Sequence, residues 1–474
     1  MPRFRLTFAL TCLLACSDPG AEESGADTAA AADVVAEGDA VPADVAAPQA
    51  DADAAPEGPA EDSQSADTGP FSPAETCDPA KPPLILAHGF LASGDTWAPH
   101  GMRFMANGWC TAQLETFDWD SFQEDTTNAV AQLDAAVDAL LARTGAPTAI
   151  LFGHSRGGGL GYDYLADAGR AAKISKFVYV GSTKRDALPA HGTTTLNLWS
   201  SGDAVIASKG DLPGATNVQL SGDDHFGVAT SEASFAAVHQ FITGSEPTVT
   251  GLPSTEAVWL AGKAVYFGDN APAVGGRLSV YPVDESGVRT GDPLFVTTIG
   301  DDARFGPFEA SPGGRYEFEI ADVGRTIAHY YREPATRPNP FVYVRALPGL
   351  EGGMAGAVLS AIPLDPGKAV IVAFNSSRGF LFGADTLALA AAPLLTATSA
   401  SAEKTLIALF LYDGDGDAAT EGSSVALFEG FPFLGARDTT LPVGGSTALS
   451  LGTRSIGVQR FDSATEGVSI AVFD

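Results

Sequence analysis

The chain has 474 residues and a formal net charge of −31, enough length for two or three domains and a sizeable core. So acidic a chain lacks the basic face that nucleic-acid binding requires, which excludes that class of partner. The acid is concentrated near the front. From Ser17 to Thr76 there is no Lys or Arg, and Asp and Glu alternate with Ala, Pro, Gly and Ser. Such a segment cannot bury enough apolar surface to fold and is expected to be a self-repelling linker.

Ahead of it stand Arg3 and Arg5, an apolar run from Leu6 to Ala15, and then Cys16. Basic residues before a short apolar run form a secretory signal, too short to span a bilayer as a mature helix. The ending Leu13-Leu14-Ala15-Cys16 resembles the lipobox of bacterial lipoproteins. That resemblance implies removal of residues 1–15, lipidation of Cys16 and membrane attachment through it, with Ser17 implying sorting to the outer membrane or cell surface. Residues 16–76 would then be the lipidated cysteine and its acidic linker. Only Cys77 and Cys110 remain in the folded part, and in an oxidising compartment two thiols suggest one disulfide, with two buried free cysteines as the alternative.

From residue 77 to 245 the pattern alternates strand and helix. Pro83–Ala87 is a continuous apolar run, as a buried parallel strand should be, and it ends in His88-Gly89-Phe90. Thr111–Phe117 reads as a second strand. Val130, Leu133, Val137, Leu140 and Leu141 mark a helix that starts near Thr126 and is stopped by Gly145 and Pro147. The strand Thr148–Phe152 runs into Gly153-His154-Ser155-Arg156-Gly157, the strand–turn–helix setting of a nucleophile elbow. Strands over Lys176–Val180, Thr195–Trp199 and Asn217–Leu220 follow. Short joints between such elements predict a parallel sheet covered on both faces.

The elbow assigns the nucleophile to Ser155, with the acid and then the histidine to come later in the chain. Asp203 lies just after the Trp199 strand, at the carboxyl end where catalytic groups of open α/β sheets gather. His225 lies in the loop after the next strand and would take the Ser155 proton, with Asp203 fixing its tautomer. Asp223 and Asp224 compete as the acid, but sequence neighbours of His225 fit poorly at its far nitrogen. His191 precedes the expected order, and His239 reads as a surface residue on the final helix. His88 reads as a hydrogen-bonded structural residue. Backbone N–H groups of Phe90 and Arg156 are the candidate oxyanion donors.

Taken together, His88-Gly89-Phe90, the Ser155 elbow, Ser201-Gly202-Asp203-Ala204-Val205-Ile206 and Gly222-Asp223-Asp224-His225 resemble a bacterial triacylglycerol lipase. The type resembled is the small, lidless α/β-hydrolase. The resemblance covers about Pro82 to Gly244 and implies hydrolysis of acylglycerol or related carboxylic esters, without metal or organic cofactor, by a monomer. A polyester depolymerase with the same triad, or a surface-binding protein with an inactive hydrolase domain, are the alternatives. Arg156 departs from the smaller or uncharged residue often found there and brings a cation near the acyl site. The polar stretch Ser182–Thr194 is too short for a large lid, so an accessible groove is expected unless the later region covers it.

After Gly244 the pattern turns to short alternating runs between Gly, Pro, Asp and Asn, predicting an all-β sandwich or barrel region. Two modules are expected: residues 250–346, which resemble Ig-like or transthyretin-like modules, and residues 347–474. A chain ending near Gly244 is expected to work on dissolved esters if it folds. Asp413, Asp415 and Asp417 could face Ca²⁺, but Ser424 stands where a bidentate Glu is wanted, and an acidic solvated turn is the preferred reading.

Overall fold

The computed structural model describes Pro73 and residues 75–474, apart from residues 351, 421, 423, 426, 427, 429 and 430. The expected signal, Cys16 and nearly all of the acidic linker lie outside the described residues. Among the described residues no helix is long and apolar enough to cross a membrane.

Six strands form the first sheet: β1 (Leu84–Ala87), β2 (Leu114–Phe117), β3 (Ala149–His154), β4 (Ile174–Val180), β5 (Thr194–Ser200) and β6 (Thr216–Leu220). Their order is β2-β1-β3-β4-β5-β6, with every neighbouring pair parallel. The apolar runs β1 and β3 are buried along their whole length, as strands covered on both faces must be. Helices α1 (Ala98–Ala106), α2 (Thr127–Thr144) and α3 (Arg156–Leu165) pack on this sheet. Helix α2 buries Val130, Leu133, Val137 and Leu140, and Gly145 ends it in the left-handed conformation that only glycine adopts at low cost. The segment Thr111–Gln113, expected as strand, is a 3₁₀ turn capped by the Gln113 side chain. Cys77 and Cys110 are joined by a disulfide with their Cα atoms 5.3 Å apart, tying the chain entering β1 to the one entering β2.

Register places the site. Ala87 pairs with Gly153, so the His88-Gly89-Phe90 loop leaves the sheet beside the elbow. Ser200 pairs with Leu220, so the loops carrying Asp203 and His225 leave side by side.

The remainder is β-rich. Val258–Tyr266 is flanked by Arg304–Ala310 and Asn339–Ala346 in a three-stranded sheet, and an eight-stranded and a four-stranded sheet complete the region. The expected break near Pro348 does not divide the sheets. Ala328–Arg332, before it, pairs in parallel with Val468–Phe473, far beyond it, and both lie in the eight-stranded sheet. A short helix, Gly353–Leu359, interrupts the all-β pattern.

The β-rich region also shares its core with the hydrolase part. Leu91, Ala92 and Phe226 belong to the same buried cluster as Leu260, Phe305 and Val342. In return Phe341 lies in the cluster built on β1, β3 and α1, pressed so closely on Gly101 that any side chain there would strike its ring. Polar groups complete the junction. Arg345 makes bonds of 2.7 Å to both carboxylate oxygens of Asp95, and Lys263 lies 2.8 Å from Asp118, which also accepts from the Tyr343 hydroxyl.

Candidate active site

Ser155 stands between β3 and α3 with φ 53° and ψ −121°, a conformation that costs a non-glycine residue about 1–3 kcal/mol and persists only where packing imposes it. The flanking glycines show what imposes it. A Cβ on Gly153 would sit 2.4 Å from the Gly157 carbonyl oxygen, and one on Gly157 would sit 2.5 Å from that of His88. No side chain fits at either place. The Ser155 carbonyl accepts bonds from the Gly158 N–H and the Ser182 hydroxyl, both at 2.9 Å, which locks the bend.

The bend lifts the Ser155 hydroxyl to 2.9 Å from His225 Nε2, and His225 Nδ1 lies 2.9 Å from Asp203 Oδ2. Asp203 and His225 are 1% and 2% exposed, whereas Ser155 is half-buried and reachable. Donation of Nδ1–H to Asp203 leaves Nε2 as the acceptor for the serine proton. The other Asp203 oxygen accepts from the backbone N–H groups of Val205 and Ile206. Burial pushes the Asp203 carboxyl up, but its bonds from His225 and those two N–H groups outweigh this and hold it below its ordinary value.

The rival acids are engaged elsewhere. Asp224 accepts from the N–H groups of Phe226 and Gly227 and, across to the β-rich region, from that of Gly379. The Asp223 carbonyl accepts from Ser200, and burial raises the carboxyl of both residues. The structure therefore sets Asp203, and neither neighbour, at the far nitrogen of His225. Among the described residues the N–H groups of Phe90 and Arg156 have no hydrogen-bond acceptor, so both are free to meet an oxyanion. The Arg156 side chain turns away from the serine, donating to the Gln123 carbonyl and lying 5.9 Å from the centre of the Trp119 ring.

The other histidines divide by surroundings. His88 is wholly buried, donates to the Gly89 carbonyl, accepts from the Trp119 N–H, and is lowered by desolvation. His191 is exposed. His239, expected at the surface, is 5% exposed instead: its helix turns it onto Trp109 and Phe235, and it bonds the Ser245 carbonyl.

Sequence reasoning passed over His154. Its Nε2–H donates to the His225 carbonyl at 2.7 Å, fixing the backbone of the loop that carries the imidazole. Its position inside the elbow was visible, but a partner 71 residues away was not. Desolvation, with the nearby His225, lowers its pKa to about 3, so it stays neutral across the working range. A depressed histidine means that the unfolded chain binds more protons below the ordinary value of about 6.5, so stability falls as pH drops from there towards 3. Urea midpoints measured from pH 7 to pH 4 should thus decline steeply, and less so in His154→Gln, which keeps a donor without a titrating group.

Aromatic rings pack around the loops of the site. Phe90 meets Phe122 edge-on at 5.1 Å. Phe433, from the β-rich region, stacks on the His225 ring at 6.0 Å with planes 6° apart, and touches Phe226.

Two clusters could approach a cation. The Asp413 carboxylate, in the Asp413–Asp417 turn, already accepts from Gly416, Ala418 and Lys368. Glu317 and Glu319, beside His329, both hold Arg289.

Comparison with known proteins follows this division. Residues 82–205 match the alpha/beta hydrolase fold family, and residues 256–347 match the lipase C-terminal domain family. No curated protein matches the chain. Among solved structures, the mature Bacillus licheniformis lipase BlEst2 is 17% identical, with 36% of this chain and 96% of that one covered and a TM-score of 0.30. Carboxylesterase CesB from Bacillus subtilis is 14% identical over 36% and 86% of the two chains, with a TM-score of 0.26. Aspergillus fumigatus lipase B is 12% identical over 36% and 54%, with a TM-score of 0.28. The two family matches and the parallel sheet with its β-rich continuation support an α/β hydrolase of the lipase and esterase kind.

Proposed function

We propose that the protein is an exported serine ester hydrolase acting on acylglycerol or related carboxylic esters. The observation that carries this reading is the unbroken line Ser155–His225–Asp203, with both bonds at 2.9 Å. In the proposed mechanism the Ser155 oxygen attacks the ester carbonyl as its proton passes to His225 Nε2. The negative charge moves to the carbonyl oxygen, which the Phe90 and Arg156 N–H groups stabilise. Collapse expels the alcohol, which takes the proton from His225 and leaves an acyl-serine. Water, deprotonated by His225, then attacks the acyl-serine, His225 returns that proton to Ser155, and the carboxylic acid leaves and ionises in solvent. Asp203 stays ionised throughout and stabilises the imidazolium. The rings of Phe90 and Phe122 beside the first loop suit an apolar acyl chain better than a charged one.

A panel of p-nitrophenyl esters of increasing acyl length tests the reading, set beside triglyceride emulsion and polyester film. Turnover of the esters and the emulsion is the expected result. Attack on the film alone would reassign the substrate, and no turnover of any ester would refute the function.

Export and anchoring belong to the same proposal. Cys16→Ser should shift the protein from the membrane to the soluble fraction with kcat and KM on a dissolved ester unchanged, because Cys16 takes no part in the proposed catalytic machinery. Retention of that variant on membranes after a high-salt wash would contradict lipid attachment.

A further inference from the structure

A cleft of about 400 Å³ opens where α1 meets the β-rich region, and none of Ser155, Asp203, His225, Phe90 or Arg156 lines it. Its volume lies within the range of sites that hold small organic molecules. One wall is apolar, built from Met102 of α1 with Leu252, Leu260, Phe318 and Val342. The lining also carries Arg332, Arg337 and Arg454, and Arg337 lies beside Leu252, whose carbonyl it bonds.

These three cations differ in how they are satisfied. Arg332 pairs with Asp474, and Arg454 lies 2.8 Å from Glu333. Arg337 donates through Nε and Nη2 to the carbonyls of Pro253 and Leu252, which leaves its Nη1 without a partner. Among the described residues no carboxylate forms an ion pair with it, and Asp474 acts on it only at longer range. A half-buried guanidinium with a free donor edge beside an apolar wall is matched by an anionic head joined to an apolar tail. A neutral lipid would leave Arg337 unpaired, and a doubly charged phosphate would meet Glu333 and Asp474 in the same lining.

We propose that this cleft binds a long-chain monocarboxylate, its head on Arg337 and its alkyl chain along Met102, Leu252, Leu260 and Phe318. A carboxylate of this class is also what ester hydrolysis would release, yet the binding site uses none of the catalytic residues and stands whether or not the triad turns over.

The test uses the full-length chain carrying Ser155→Ala, so that nothing is consumed, and dodecanoate below its micellar concentration as the probe in calorimetric titration. Arg337→Gln removes the free cation. Thr336→Trp fills the cleft from its lining, where Thr336 offers only its carbonyl, to the Thr255 N–H. Each change should weaken dodecanoate by about tenfold or more, the range expected for a lost bond to a charged group, and 1-dodecanol should bind at least about tenfold more weakly than dodecanoate. With Ser155 intact, Arg337→Gln should hydrolyse a short dissolved ester at the unaltered rate. Should Arg337→Gln fail to fold, Thr336→Trp and the alcohol comparison decide. The proposal is overturned if the parent protein binds no dodecanoate, if the folded variants bind it as tightly as the parent, or if the alcohol binds equally well.

Discussion

Ser155→Ala should lower turnover of a dissolved ester by roughly 10⁴- to 10⁶-fold while leaving the melting temperature within a few degrees. Among the described residues the serine hydroxyl bonds only His225 Nε2, so its removal breaks a single side-chain bond and none within the sheet. His225→Ala should be as severe, and the double variant no worse than either single one, because in the proposed mechanism the groups act as one proton-transfer unit. Asp203→Ala should be somewhat milder in rate, since the free N–H groups of Phe90 and Arg156 and the His154 bond to the His225 backbone remain. It also deprives Val205 and Ile206 of their acceptor, so its cost appears in stability as well. Steady-state kinetics beside thermal melts separates the two. An Asp203→Ala enzyme with full activity, alongside an inactive Asp224→Ala, would move the acid to a residue that the geometry places elsewhere.

The second large effect concerns the β-rich region, which the sequence presents as an appendage and the structure does not. A chain ending at Gly244 should be recovered insoluble, or without a cooperative melting transition. It would lose Phe341 from the core beneath α1 and uncover much of Leu91, Ala92 and Phe226, whose buried cluster otherwise consists of residues beyond Gly244. It would also lose Phe433 from the face of His225. Activity of this fragment on dissolved esters is expected only if it folds, and the shared core argues that it does not. In the full chain, Arg345→Leu makes the same point with one side chain. Asp95 would stay buried with its charge unpaired, at a cost of about 3–5 kcal/mol, which is a large part of the stability of a typical domain. Chemical denaturation of the full-length pair measures that loss. A soluble monomeric fragment as active as the whole chain would show that the shared core is dispensable.

What could be read from residues alone was what local chain chemistry dictates. Continuous apolar runs announced β1 and β3, and the elbow announced itself because glycine is the only residue that fits where Gly153 and Gly157 meet backbone. The chain order of Ser155, Asp203 and His225, with strands before each, was enough to nominate all three. Contacts between residues far apart in the chain were not legible. Nothing near Phe433 says that it stacks on His225, and nothing near Arg345 says that it reaches Asp95. Nor does the expected boundary near Pro348 reveal that Ala328–Arg332 pairs across it with Val468–Phe473, because short alternating strands carry no mark of their partners. His239 was misplaced because its polar type outweighed the apolar face on which its helix sets it.

The central claim is that Ser155 is a nucleophile activated by His225. The most direct measurement is reaction of the full-length protein with a fluorophosphonate, followed by intact mass and peptide mapping. One adduct per chain, on Ser155, absent from Ser155→Ala and strongly slowed in His225→Ala, is the predicted result. A folded chain that takes up no label, or takes it up equally after Ser155→Ala, would contradict the account.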